Sequence, residues 1–280
     1  MSTSTSTGTV QAVIKADLEY ARVGGEPLRL DLYTPADAEQ ALPTLLYFHG
    51  GGFALGDKSD MAVERLVPLV ARGFAVASAN YRLVPSAIWP AQLHDAKAAV
   101  RWLRANAPEH GLDPARIAAG GASAGGYLAS MLGLTAGDPE LEGDVGDHAD
   151  QASAVGAVVA LFAVSDLVLA SARNPLESRI LPTAPPVGLL GLTRIEDDLD
   201  AARAASTRHR AHAGAPPHLL LHGDRDTMVN HEQSRLLHEA LSAVGATSTY
   251  VLLAGAGHED PAFARPSVMA AIAGFLEEHL

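Results

Sequence analysis

The chain has 280 residues, 48% of them hydrophobic and 19% charged, with a formal net charge of -12. This is an ordinary globular composition, long enough for one sizeable α/β core, and its acidic balance opposes nucleic acid and anionic membrane surfaces as partners. No cysteine is present, which excludes disulfides and thiol-ligated metal, and no apolar run reaches the roughly 18 residues of a membrane-spanning helix.

Met1 to Thr9 is polar and repetitive, without the basic and apolar regions of a secretory leader. A disordered tail over residues 1–9 and a cytoplasmic location are the resulting expectations. Strands near Ala16 to Ala21 and Leu28 to Tyr33, joined around Gly24-Gly25, read as an antiparallel hairpin at a sheet edge. A strand at Thr44 to Phe48 follows, then a helix at Asp60 to Arg72, a strand at Phe74 to Ala79 and a helix at Pro90 to Asn106. Ile117 to Gly120 reads as a strand running into a helix that begins near Tyr127, and Ala157 to Phe162 as the next strand. The alternation lapses between Ser165 and Ala215, a Pro-rich stretch read as a small cap. Its apolar run Val187 to Leu192 suits either a pocket wall or a helix end docked on the core. Strands at Leu219 to His222 and Thr249 to Leu253 flank a helix at His231 to Val244, and Pro266 to His279 forms a closing helix. The expected architecture is one α/β domain over residues 10–280, a mostly parallel sheet covered on both faces, with the cap at about 165–215.

The pattern Gly121-Ala122-Ser123-Ala124-Gly125 follows the short apolar run Ile117-Ala118-Ala119. A serine between two glycines fits a sharp strand-to-helix turn, where a β-carbon at either glycine would collide with the neighbouring strand or helix. The helix that follows aims its N–H groups and positive dipole end at any anion forming near Ser123. Upstream, His49-Gly50-Gly51-Gly52-Phe53 follows the strand Leu45 to Phe48. Three bare glycines at a strand end are costly as mere connection, but they let N–H groups approach a reacting oxygen. Gly51, Gly52 and Ala124 are therefore the candidate oxyanion donors, and Phe53 beside them is a candidate substrate contact.

A serine hydroxyl needs a base, and the base needs an orienting carboxylate. His222-Gly223-Asp224-Arg225-Asp226 and Gly255-Ala256-Gly257-His258 each follow a strand, so Ser123, Asp226 and His258 occur in the chain order of one known triad architecture. Asp226 is preferred to Asp224, because Asp224 directly follows Gly223 at the strand end, where a turn-forming side chain is the commoner role. The chain holds 12 histidines. His209, His212, His218 and His222 lack carboxylate or cysteine partners at metal-binding spacing, and no metal is expected. All proposed site residues fall at the carboxyl ends of strands.

These motifs, together with N-Y-R-L-V-P at Asn80 to Pro85 and W-P-A-Q-L-H-D at Trp89 to Asp95, resemble those of α/β-hydrolases. The branch is that of hormone-sensitive-lipase-like carboxylesterases and bacterial feruloyl-esterase-like hydrolases, and the resemblance spans nearly the whole chain. Ala122 stands where hormone-sensitive-lipase-like members usually carry an acidic residue, and H-E-D-P-A-F at His258 to Phe263 also leans to the feruloyl-esterase-like side. The resemblance implies a serine carboxylesterase acting through an acyl-enzyme, without a cofactor; short-acyl esters are expected because no extended lipid-binding segment is evident in the sequence, with acetylated or feruloylated carbohydrate as the alternative that the branch implies. Arg82 and Asp95 would brace the catalytic loops, with Trp89 and Trp102 as packing residues. An amidase, formamidase or peptidase could use the same triad. A non-catalytic ligand-binding protein of this architecture would typically lack a triad member, whereas all three are present here. The expected partner is a small-molecule ester, and the edge strand or last helix could support a homodimer.

Overall fold

The computed structural model describes residues 12–172 and 183–280. The expected tail over 1–9, and the turns at Asn174-Pro175 and Leu181-Pro182, lie outside the described residues.

Strands β1 (Ala12–Val23) and β2 (Glu26–Pro35) form the antiparallel hairpin expected at the edge. Gly24 and Gly25 both take positive φ, 58° and 89°, the backbone of a two-residue turn whose twist matches its strands. β2 pairs antiparallel with β4 (Ala75–Ala79). From there β3 (Leu42–Phe48), β5 (Leu112–Ala122), β6 (Val158–Leu161), β7 (His218–Gly223) and β8 (Ser248–Leu253) run parallel. The eight strands lie in the order β1-β2-β4-β3-β5-β6-β7-β8, placing β5 near the centre. Its central position explains the continuous apolar run before Ser123, since strands buried on both faces have no polar alternation.

Helix α2 (Ala91–His110) and helix α3 (Ala124–Leu134) cover one face, where Leu46, Phe48, Leu93, Val100, Tyr127 and Leu128 share a core. On the other face α8 (Pro266–His279) buries Val268, Met269, Ile272 and Leu276 against Leu45, Val159 and Leu219. That spacing is a helical stripe. α7 (Glu232–Ala243) seats Leu237 and Leu241 against Ala160 and Leu220. Every residue of α3 is buried. The helix that follows Ser123 is thus fixed on all sides.

The expected helix at Asp60 to Arg72 is instead a π-helical turn, Ala62–Leu66, continued by the single α-turn α1 (Val67–Val70). Pro68 accounts for part of this, because it lacks the N–H that an α-helix would need there. β5 begins earlier than expected, at Leu112, which pairs with Leu42 across a register shift. α2 runs on past Asn106 to His110 and stops at Gly111, whose φ of 66° allows the left-handed cap.

Between β6 and β7 the described residues form short helices, α4 (Leu167–Ala170), α5 (Pro185–Leu189) and α6 (Leu199–Ala204), and two 3-10 turns. Ala184, Val187, Ile195 and Ala202 make a small apolar cluster of their own. Leu189 is fully buried in the main core, and its carbonyl accepts from the Trp89 N–H at 2.8 Å. The run Val187 to Leu192 is therefore a helix end docked on the core. Among the described residues no helix is long and apolar enough to cross a membrane.

Candidate active site

Ser123 sits at the junction of β5 and α3 with φ 53° and ψ -115°, a conformation that non-glycine residues rarely adopt. The turn is held by the Ser123 N–H donating to the Leu161 carbonyl at 2.8 Å and the Tyr127 N–H donating to the Ser123 carbonyl at 3.0 Å. The flanking glycines are required sterically. A β-carbon on Gly121 would stand 2.4 Å from the Gly125 carbonyl carbon, and one on Gly125 would stand 2.0 Å from the Phe48 carbonyl oxygen.

Three loops bring the remaining groups to this serine. His258 follows β8, and its Nε2 lies 3.1 Å from Ser123 Oγ. Its Nδ1 lies 2.7 Å from Asp226 Oδ2, in the loop after β7. Because the carboxylate can only accept, Nδ1 carries the proton and Nε2 presents its lone pair to the serine hydroxyl. Asp226 has no exposed side-chain surface. Burial would push its carboxyl up, but hydrogen bonds from His222 and His258 and from the Val229 N–H outweigh that and hold it well below the usual carboxylate range. Its Oδ1 accepts the Met228 and Val229 N–H groups at 2.9 and 2.8 Å. Asp224 does something else: its carboxylate accepts the Gly255 N–H at 2.7 Å, tying the loop after β7 to the turn that leads to His258.

His222 belongs to this constellation too, a role the sequence reading missed. Its Nε2 lies 2.9 Å from the Val229 carbonyl and 3.2 Å from Asp226 Oδ2, and its Nδ1 lies 2.7 Å from Ser234 Oγ. Since a carbonyl only accepts, the Nε2–H donates to Val229 and leans on Asp226, while Nδ1 accepts from the serine. The signal available in sequence was the spacing His222-x-x-x-Asp226 across a strand end.

The Gly50 to Gly52 loop lies beside Ser123: a β-carbon on Gly50 would stand 3.5 Å from Ser123 Cβ. Gly51 has φ 111°, and a β-carbon there would stand 2.0 Å from the Leu55 carbonyl oxygen. Gly52 has φ 61° and lies under Pro185 of α5. Beneath the loop, His49 stacks on Tyr81 with ring centres 4.5 Å apart, and the Tyr81 hydroxyl donates to the His49 carbonyl at 3.0 Å. Burial lowers the His49 pKa from its ordinary value, against an opposing contribution from its hydrogen bond to the Gly50 carbonyl. The N–H groups of Gly51, Gly52 and Ala124 make no hydrogen bond to another described residue.

Phe53 corrects the sequence expectation of a substrate contact. Its φ of 65° turns the ring inward, where it is 1% exposed and meets Tyr127 edge to face at 5.3 Å. Arg82 grips the fully buried Asp95 carboxylate through Nε and NH2, at 2.6 to 2.9 Å, and so braces the loop after β4. Trp89 and Trp102 are half-buried packing residues against the same core. His218 donates from Nδ1 to the Pro216 carbonyl, and no cluster of three potential metal ligands occurs among the described residues.

The family model described as BD-FAE matches residues 30–241, a span that includes Ser123 and Asp226. The chain belongs to the BD-FAE family. Esterase LipC of Mycobacterium tuberculosis is 33% identical over 84% of the chain, and Esterase LipQ of the same organism is 33% identical over 87%. The chain spans 58% and 56% of the length of these two relatives. A truncated carbohydrate esterase from gut microbiota superposes with a TM-score of 0.86 at 28% identity, covering 98% of both chains. The propionate-bound esterase Est2 of Thermogutta terrifontis superposes at 0.75 with 29% identity, covering 95% of this chain and 94% of its own. The fold is that of the α/β-hydrolases, and in this BD-FAE member Ser123, Asp226 and His258 lie in the loops after β5, β7 and β8.

Proposed function

We propose that this BD-FAE family member is a serine carboxylesterase that hydrolyses short-acyl esters through an acyl-enzyme. The observation that carries the reading is the unbroken hydrogen-bonded line from Asp226 through His258 to Ser123 Oγ. His258 takes the serine proton as Oγ attacks the ester carbonyl. The N–H groups of Gly51, Gly52 and Ala124 receive the oxyanion, and each such donor is typically worth about 2.7–4 kcal/mol in the transition state. The imidazolium, stabilised by Asp226, then protonates the leaving alcohol. Water activated by the same imidazole releases the acid. No cofactor takes part.

Support for the acyl preference comes from the Est2 structures with propionate and butyrate bound. Support for a carbohydrate alcohol comes from the gut carbohydrate esterase, which matches the chain end to end. The test is hydrolysis of a chain-length series of p-nitrophenyl esters by wild type and Ser123→Ala. Turnover should peak at acetyl to butyryl and vanish in the folded variant. Hydrolysis by Ser123→Ala at the wild-type rate refutes the assignment, and a peak at long acyl chains refutes the acyl preference.

A further inference from the structure

Glu259, the residue immediately after His258, has φ 54°. The left-handed region favours glycine, and a glutamate pays strain to sit there. Its carboxylate nevertheless reaches across the fold: Arg65 NH2 donates to Glu259 Oε2 at 2.7 Å, linking residues 194 positions apart. The two ends differ sharply in environment. The Arg65 side chain is 2% exposed and that of Glu259 is 41% exposed.

Arg65 lies on the π-helical turn Ala62–Leu66, a geometry that tends to mark functional positions. Its guanidinium packs 5.4 Å above the Phe162 ring and reaches the Tyr47 hydroxyl at 3.4 Å. Phe162 in turn meets the His258 imidazole edge to face at 4.8 Å. One buried cation therefore touches both supports of His258: the ring behind its imidazole and the residue after it in the chain. Gly50 adds proximity, because the site of its missing β-carbon lies 3.3 Å from Glu259 Oε1 and 3.5 Å from Ser123 Cβ. A guanidinium is costly to bury unless a carboxylate answers it, and here the answering carboxylate is the partly exposed one of Glu259. Both the strain and the desolvation converge on the catalytic histidine's loop.

Resting on the serine-esterase reading, we propose that Arg65 and Glu259 are positioning residues that act as one unit. Their ion pair fixes the loop so that His258 Nε2 faces Ser123 Oγ.

The experiment compares Glu259→Gly, Glu259→Gln, Arg65→Met and the double variant Arg65→Met/Glu259→Gly with wild type. It reads kcat and KM on p-nitrophenyl butyrate, the rate of p-nitrophenol release on phosphorylation of Ser123 by paraoxon, and Tm. Glycine relieves the backbone strain at 259, so a purely structural role predicts full activity in that variant. Positioning predicts a fall in kcat of roughly 10- to 100-fold, as a displacement of about 1 Å produces, with KM within about twofold. Serine phosphorylation should slow in parallel. Gln, which can still accept from Arg65, should retain more activity than Gly, and the double variant should be no worse than the worse single one. A folded Glu259→Gly with kcat within about twofold of wild type overturns the proposal, as do single-variant losses that multiply in the double. If Glu259→Gly does not fold, Glu259→Gln and Arg65→Met decide by the same criteria. Failure of wild type to react with paraoxon would instead refute the esterase reading.

Discussion

Gly51 shows how a single missing methyl group sets the site. With a β-carbon 2.0 Å from the Leu55 carbonyl oxygen and a φ of 111°, alanine cannot occupy this position without moving the loop. Gly51→Ala should lower kcat roughly 100- to 1,000-fold, the loss expected when one oxyanion donor is misdirected. The turn is local, so the far-ultraviolet circular dichroism should be that of wild type. An unchanged kcat on p-nitrophenyl acetate would show that this loop does not hold the oxyanion. Such constraints were legible in sequence where they act between near neighbours, as Gly121 against Gly125 and Gly51 against Leu55; Gly125 is bare because β3 crosses beside it at Phe48, and only its place in the serine motif marked it. Asp224 and Asp226 were separable by position on the turn. Phe53 was not legible, because the positive φ that points its ring into the core depends on the loop closing over Tyr127. His222 was also missed, since its meaning arises only when the loop to Val229 folds back onto it.

At the scale of elements, α3 joins the turn at Ser123 to the end of α6. The fully buried Tyr127 hydroxyl donates to the Ala205 carbonyl at 2.7 Å, at the end of α6. Tyr127→Phe keeps the ring against Phe53 and Trp89 but leaves that carbonyl without its donor. The expected cost is about 1–3 kcal/mol, read as a lower urea midpoint at pH 7 with unchanged m-value. A midpoint equal to that of wild type would mean the bond contributes nothing net. Element identity was legible where periodicity was long and unbroken, as in α2, α7 and α8. It failed at Asp60 to Arg72, where apolar spacing suggested an ordinary helix. There Met61 at φ 57° and Pro68 divide the segment into a π turn and one α-turn. The structure between β6 and β7 was legible only as a departure from alternation, because its short helices are held by contacts such as Trp89 to Leu189 rather than by their own patterns.

Across the whole molecule, the sheet buries a titratable group that chemistry does not require. His218, at the start of β7, is fully buried, with Nδ1 bonded to the Pro216 carbonyl at 2.7 Å and Nε2 without a partner among the described residues. Burial is the main cause that pulls its pKa from the ordinary 6.5 down to about 4, with His212 adding a little in the same direction. The folded protein therefore holds this imidazole neutral, while the unfolded chain takes up a proton below about pH 6.5. Unfolding binds protons between those two values, so stability is full above pH 6.5 and falls as the pH drops toward 4. The loss attributable to His218 amounts to about 3 kcal/mol over that window. The Asp226 carboxyl, depressed below its usual range, adds a further loss, but only below about pH 4 where the unfolded carboxyl protonates. The two contributions are separable by pH. Asparagine at 218 can place an amide N–H near the position of Nδ1 and donate to Pro216, yet it does not titrate. His218→Asn should therefore flatten the dependence of unfolding free energy on pH between 6.5 and 4.5, measured by urea denaturation at half-unit steps. A variant that loses as much stability as wild type over that range would place the proton uptake at groups other than His218.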